Sequence, residues 1–193
     1  MKYLWIGFTK LMIYHKQLQI IFKWIARFGY LAFLIYGMIE WLRPGALQEK
    51  LHRRRTLLYC LFAVSIGSGI SFIVGHIWRR KRPFVAHADC SPLISHKDNA
   101  SFPSNHSMNA MAVSLMLLSR KNDWGVPFLL WSLVLGTSRV VCRLHYISDV
   151  IGGFLLGGCC VCLIRNSMLA KRLATQILWF SDGIAEGFRC WRR

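Results

Sequence analysis

From Thr56 to Trp78 the chain runs without one charged residue, and His76 is its only histidine. At about 1.5 Å per residue, a helix of that length covers the roughly 30 Å hydrocarbon core of a bilayer. The rest of the chain agrees with a membrane setting. Its 193 residues are 54% hydrophobic, with a mean hydropathy of +0.37, and the apolar residues gather in long runs. The expected fold is all-α: a single integral membrane domain over 1–193, a polytopic bundle of five to six transmembrane helices. Amphipathic helices are expected at both the N- and C-terminal ends.

Residues 1–27 alternate apolar and basic side chains, as an interfacial helix does, and a tilted first span fits within 18–42. Lys10, Lys16, Lys23 and Arg27 interrupt the apolar residues, so a cleavable signal peptide is not expected. Pro44-Gly45 ends the first span, and 43–55 reads as a basic loop. The second span, 56–78, carries Gly67, Ser68, Gly69 and Ser71, small residues suited to close helix packing. A polar stretch follows over 79–104. Further spans are expected at about 105–119, 124–142 and 147–164. Leu169, Leu173, Ile177, Phe180, Ile184 and Phe188 give the tail the spacing of an amphipathic helix on the membrane surface.

The net charge of +17 would suggest nucleic acid in a soluble protein. Here the Lys and Arg residues cluster at span ends, where they meet anionic headgroups, and no nucleic-acid motif accompanies them. Membrane lipids are therefore the expected partners. Of seven cysteines, Cys60, Cys142, Cys159, Cys160 and Cys162 lie in apolar stretches, and their spacing matches neither a zinc site nor a disulfide framework. Cys90 and Cys190 read as the more exposed thiols.

Three polar clusters interrupt this apolar background. Lys81-Arg82-Pro83-Phe84 is the first, Phe102-Pro103-Ser104-Asn105-His106-Ser107 the second, and Ser138-Arg139 with His145 and Asp149 the third. Two spans separate the 79–104 stretch from the 143–147 connection, so all three clusters fall on one membrane face. With Arg82, Arg139 and Arg143 set aside, the positive-inside bias leans towards an outward-facing site. Arg82 and Arg139 offer planar forks of donors that suit phosphate oxygens. Ser104 is placed to cap the third span, whose free N–H groups attract an anion. His106 is a candidate general acid. His145 and Asp149, at i and i+4, share a face on a helix, and Ser138 lies two turns before His145 on the same stripe. Together these are the parts of a nucleophilic phosphoryl-transfer site.

The three ordered clusters resemble the type 2 phosphatidic acid phosphatase superfamily, whose pattern is Lys-x6-Arg-Pro, Pro-Ser-Gly-His and Ser-Arg-x5-His-x3-Asp. The third part matches in full at Ser138, Arg139, His145 and Asp149. The second matches at Pro103, Ser104 and His106, with Asn105 in place of glycine. The first matches at Arg82-Pro83, with Gly75 at the lysine position. Arg79, Arg80 and Lys81 are the neighbouring cations that could supply the missing charge, and Arg143 is a further candidate. The resemblance covers about 56–165. Within it, 82–87 and 101–106 are most similar to the bacitracin-resistance type of undecaprenyl pyrophosphate phosphatase.

That resemblance implies a bacterial cell-membrane enzyme that takes a polyprenyl diphosphate and recycles the cell-wall carrier lipid. It implies His145 as the nucleophile that becomes phosphohistidine, Asp149 as its orienter, and His106 as the acid for the leaving group. Arg82, Arg139, Ser104, Ser138 and the N–H groups near Asn105 would hold the phosphate oxygens. No cofactor and no metal is implied, and the chain has no carboxylate cluster for Mg²⁺. Phosphatidylglycerol phosphate or phosphatidic acid is the alternative substrate. A non-catalytic transport or resistance protein is the alternative of another class; no nucleotide-binding loop supports it.

Overall fold

The structure is a computed structural model that describes residues 16–87 and 90–191, with side chains described through residue 181. Every regular element among the described residues is a helix. In chain order these are α1 (Lys16–Phe28), α2 (Leu31–Leu42), α3 (Leu47–Trp78), α4 (Pro83–Ala86), α5 (Asn105–Ser119), α6 (Gly125–Val141), α7 (Ile147–Asn166) and α8 (Met168–Trp191).

By length and composition, Leu47–Ala86 and Ile147–Asn166 are apolar enough to cross a membrane. The bent pair α1–α2 is a third candidate if it counts as one span. That is fewer than five to six: α5 has 15 residues and α6 has 17, short of the roughly 20 that a full crossing takes. The basic segment 43–55 is also not a loop throughout, since α3 begins at Leu47. Glu49 sits in its first turn, and Arg53 joins Glu49 and the buried Glu40 while donating to the Arg43 carbonyl. Those pairings let a run of basic residues continue a helix rather than leave it.

The inward face of α3 is a stripe of small residues, Cys60, Ala63, Gly67, Ser71 and Gly75. Leu61, Ile66, Phe72, Ile73 and Ile77 stand exposed on other faces. Small inside and large outside is the arrangement lipid favours, because apolar side chains gain nothing by hiding from hydrocarbon. A Cβ on Gly67 would strike the Met108 side chain, whereas Gly69 faces open space, so only the first serves close packing. The same logic joins α7 to α5. A Cβ on Gly153 would lie 2.6 Å from the Ser104 carbonyl, and one on Gly157 2.7 Å from that of Met108.

The chain bends by 47° between α1 and α2. Two carbonyls beside the break find donors on α6: Arg139 Nη1 bonds the Ala26 oxygen at 2.7 Å, and Trp131 Nε1 bonds the Gly29 oxygen at 2.8 Å. A break in a helix ladder persists where side chains satisfy the freed backbone groups. The tail does form a helix, but it packs on Ala170, Ala174 and Leu178. The Leu169, Leu173, Ile177 and Phe180 stripe is the exposed side instead. Cys90 is buried, contrary to the sequence expectation, while Cys190 lies among residues whose side chains are not described.

Candidate active site

His145 is positioned by the way α6 stops. The Leu144 N–H bonds the Arg139 carbonyl at 3.0 Å and the Arg143 N–H bonds that of Val140 at 2.9 Å. This is a Schellman ending, with Arg143 in the left-handed region (φ 61) where glycine is usual. Its side chain donates to the Ser91 carbonyl at 3.0 Å, which helps hold a backbone conformation costing about 1–2 kcal/mol. His145 therefore lies beyond α6 and before α7, not on a helix with Ser138 or Asp149. The i,i+4 spacing works through end-capping instead. Asp149 is in the first turn of α7, and its Oδ2 accepts the Tyr146 N–H at 2.9 Å, folding the acid back beneath His145.

The Asp149 carboxylate is fully buried and saturated with donors. Arg80 Nη1 reaches Oδ1 at 2.6 Å, and the Ser101 hydroxyl donates to Oδ2. Arg80 also bonds the Ser148 hydroxyl at 2.8 Å and lies over the Tyr146 ring. His145 Nδ1 stands 3.7 Å from Asp149 Oδ2, beyond hydrogen-bond length, and 2.7 Å from the Ser101 carbonyl. A carbonyl only accepts, so Nδ1 carries the proton and Nε2 keeps its lone pair. Ser101 thus links the pair, its hydroxyl to Asp149 and its carbonyl to His145. Burial pushes the His145 imidazole down to about 4, with the carboxylate opposing that shift. A neutral imidazole with Nε2 available is the form that attacks phosphorus.

The two arginines differ in what they have left to give. Arg82 spends its donors on the protein: Asn99 takes Nε and Nη2, while Nη1 bridges the Leu144 carbonyl at 2.9 Å and His145 Nε2 at 3.1 Å. Arg139 is 2% exposed and bonds only the Ala26 carbonyl, leaving Nε and Nη2 without a partner among the described residues. A buried donor without an acceptor is costly, and a phosphate oxygen would relieve it.

The opposing wall is the start of α5. Ser104 precedes it, but its hydroxyl pairs with that of Ser107 at 2.9 Å rather than capping a backbone N–H. Its own N–H bonds the Asp149 carbonyl, tying this wall to α7. The Asn105 side chain accepts weakly from Ser68. His106 is half-buried beside the edge of the Tyr30 ring.

These walls enclose a cavity of about 610 Å³ lined by Arg79, Arg80, Lys81, Arg82, Asn105, His106 and His145, with Gly75, Phe72 and His76 from α3. Asp149 and Ser104 lie buried behind this surface. Ser138 bonds the Leu135 carbonyl within α6, Arg143 serves the turn, and Arg139 is buried against Ala26; none of the three is on the cavity lining. Asn99 and Ser101 are the residues sequence reasoning missed. Their one signal was position, directly before Phe102-Pro103 in a stretch otherwise read as a polar loop.

Undecaprenyl-diphosphatase BcrC of Bacillus subtilis (strain 168) is 31% identical over 143 residues, which cover 74% of this chain and 71% of that relative. Among solved structures, Aquifex aeolicus LpxE matches with a TM-score of 0.65 at 19% identity, over 82% of this chain and 92% of that one. The first transmembrane PAP2 type phosphatidylglycerolphosphate phosphatase from Bacillus subtilis matches with a TM-score of 0.57 at 23% identity, over 89% and 84%. Those two likenesses concern the fold alone. Residues 56–173, which contain all three polar clusters, match the PAP2 superfamily, and the chain belongs to that family of hydrolases acting on lipid phosphates.

Proposed function

We propose that this protein removes the terminal phosphate of undecaprenyl diphosphate and returns undecaprenyl phosphate to cell-wall synthesis, conferring bacitracin resistance. The observation that carries the chemistry is the state of His145: buried, neutral, its Nδ1 proton spent on Ser101 and its Nε2 at a cation-lined cavity. The substrate reading draws on the similarity to BcrC.

In the first step a phosphate oxygen takes the Arg82 N–H that now occupies His145 Nε2, and the unpartnered donors of Arg139 take another. Nε2 then attacks the terminal phosphorus. The N–P bond forms as the bridging P–O bond breaks, and His106 delivers a proton to the departing lipid phosphate. Arg82 and Arg139 balance the charge on the equatorial oxygens. In the second step His106 takes a proton from water, which attacks the phosphohistidine and releases inorganic phosphate. Asp149, held by Arg80 and Ser101, stabilises the transient positive charge on His145.

The reading is of a multi-pass protein of the bacterial cell membrane with its site on the extracytoplasmic side. The short helices α5 and α6 would cross where the bilayer thins or neighbouring helices shield their ends. Catalysis needs no metal in this reading, because the cavity lining is dominated by cations and carries Asp98 as its carboxylate.

The test compares purified protein in detergent on undecaprenyl diphosphate, phosphatidylglycerol phosphate and phosphatidic acid. The diphosphate should give the highest kcat/KM by at least tenfold, and excess chelator should leave the rate unchanged. Preference for either phospholipid would replace the substrate assignment. Loss in chelator, restored by Mg²⁺, would replace the mechanism.

A further inference from the structure

We infer that the mouth of this cavity holds a second anion subsite, built by Arg79 and Lys81, which takes the inner phosphate of a lipid diphosphate and selects diphosphates over monophosphates. The inference rests on the phosphatase reading above and deepens it.

Four successive basic residues, Arg79 to Arg82, join α3 to α4. α3 ends with Arg79 in the left-handed conformation (φ 48, ψ 35), its N–H on the Gly75 carbonyl. Arg82, at the start of α4, is extended (φ −68, ψ 156). Arg80 turns to Asp149 and Ser148, and Arg82 is buried against Asn99 and His145. Both are parts of the framework that holds the nucleophile.

Arg79 and Lys81 differ from them in exposure and in partners. Both are exposed and both line the cavity. Arg79 uses Nε on the His76 carbonyl, and no partner among the described residues takes its Nη groups. Lys81 has no partner among the described residues. The lining carries one carboxylate, Asp98, and four imidazoles, His76, His96, His106 and His145.

Gly75 shows why these two positions carry the charge. A Cβ there would lie 3.2 Å from that of Ala100 and 3.6 Å from the Phe102 carbonyl, so position 75 is a tight wall against the 99–102 segment. The positive charge sits instead one helical turn later, at the rim.

The direction of attack gives the rim its role. In-line displacement puts the leaving oxygen opposite His145 Nε2. The inner phosphate and its lipid must therefore lie away from the floor, towards the exposed residues Arg79, Lys81, His76 and Phe72. Arg82, buried in the lining beside His145, answers the charge of the reacting phosphoryl group. A monophosphate ester has nothing for the rim cations to hold, whereas a diphosphate presents a second anionic group to them.

The experiment measures kcat/KM for a prenyl diphosphate and for the prenyl monophosphate of the same chain length. It compares wild type with Arg79→Gln, Lys81→Gln and the double variant, checking Tm in detergent. The diphosphate-to-monophosphate ratio should fall at least tenfold in the double variant, chiefly through KM, and less in each single variant. Lys81→Arg should retain it. Inorganic pyrophosphate should inhibit wild type better than phosphate does, and this advantage should shrink in the variants. Equal losses on both substrates, or an unmoved ratio, overturn the subsite. If the double variant does not fold, the single variants decide on the same criterion. Wild-type protein that leaves the diphosphate intact overturns the underlying reading, and the subsite with it.

Discussion

The two histidines of the site sit in opposite kinds of wall. His145 is 2% exposed, with both ring nitrogens engaged and its neighbours cross-linked through Ser101, Asp149, Arg80 and Arg82. His106 is half-buried at the open start of α5, with the Tyr30 ring edge beside it and no ring hydrogen bond among the described residues. The contrast matches the work proposed for each. A nucleophile gains from being fixed in one tautomer and orientation before substrate arrives. A group that donates a proton and later takes one from water needs access and freedom to exchange. Preorganisation is thus concentrated on the attacking side, and the leaving-group side is completed by the substrate.

The largest break in this contrast is His145→Ala. Phosphate release should fall at least about a thousandfold, and no acid-labile phosphoenzyme should be trapped by rapid quench, while Tm in detergent is maintained. Near-normal turnover in that variant would remove the proposed mechanism. His106→Asn should slow turnover by about 10²–10⁴ and, unlike the first variant, should still form phosphohistidine, which then persists because water is no longer activated. A loss of the phosphoenzyme itself would make the leaving-group proton of the first step the main contribution of His106.

Ser101→Ala sharpens the comparison further. It removes the hydroxyl that holds Asp149 and keeps the carbonyl that holds His145, so kcat should fall roughly tenfold with KM little changed. A predominant KM effect would mean that Ser101 contacts substrate. On the other wall, Gly153→Ala pushes against the Ser104 carbonyl and hence the turn carrying His106. A several-fold loss of rate, with phosphoenzyme formation spared, is expected.

The smallest effect is on pH dependence. With its pKa lowered to about 4, His145 stays neutral well below the usual histidine range near 6.5. NMR of its ring carbons in the substrate-free protein should show no titration between pH 8 and 5. The sign for stability follows. As pH falls from about 6.5 towards 4, the unfolded chain binds a proton that folded His145 refuses, so its contribution to stability is present above 6.5 and declines through that window. Asp149→Asn should lower the imidazole pKa further, since the carboxylate is what raises it.

Much of the site was legible in the primary structure because polar residues stand out in an apolar chain. Arg82, His106, Arg139, His145 and Asp149 were singled out from spacing and from the resemblance that spacing supports, and the fold brings Arg82, His106 and His145 to one cavity. The helix boundaries at Asn105, Gly125 and Ile147 fell where Pro103, the 120–123 turn and the 143–146 connection suggested. What misled was the assumption that spacing means a helical face. His145 to Asp149 is four residues, yet the pair meets through the end of α6 and the first turn of α7. Ser138, read as a phosphate ligand, gives its hydroxyl to the Leu135 carbonyl inside its own helix. Ser101 and Asn99 were not legible, because a serine and an asparagine in a polar loop look like any others until the chain folds around them.

The sequence by itself determined the setting and the chemistry. A long uncharged run demands lipid, and arginines, histidines and an aspartate at the boundaries of apolar segments demand a reason to be there, since desolvating them is costly. Only the tertiary structure decided how those groups share the work. Whether an arginine is saturated like Arg82 or left wanting like Arg139, and whether Asp149 reaches His145 directly or through Ser101, depends on atoms from segments dozens of residues apart. Hydrogen bonds act over about 3 Å, and no local pattern encodes that distance between remote parts of a chain.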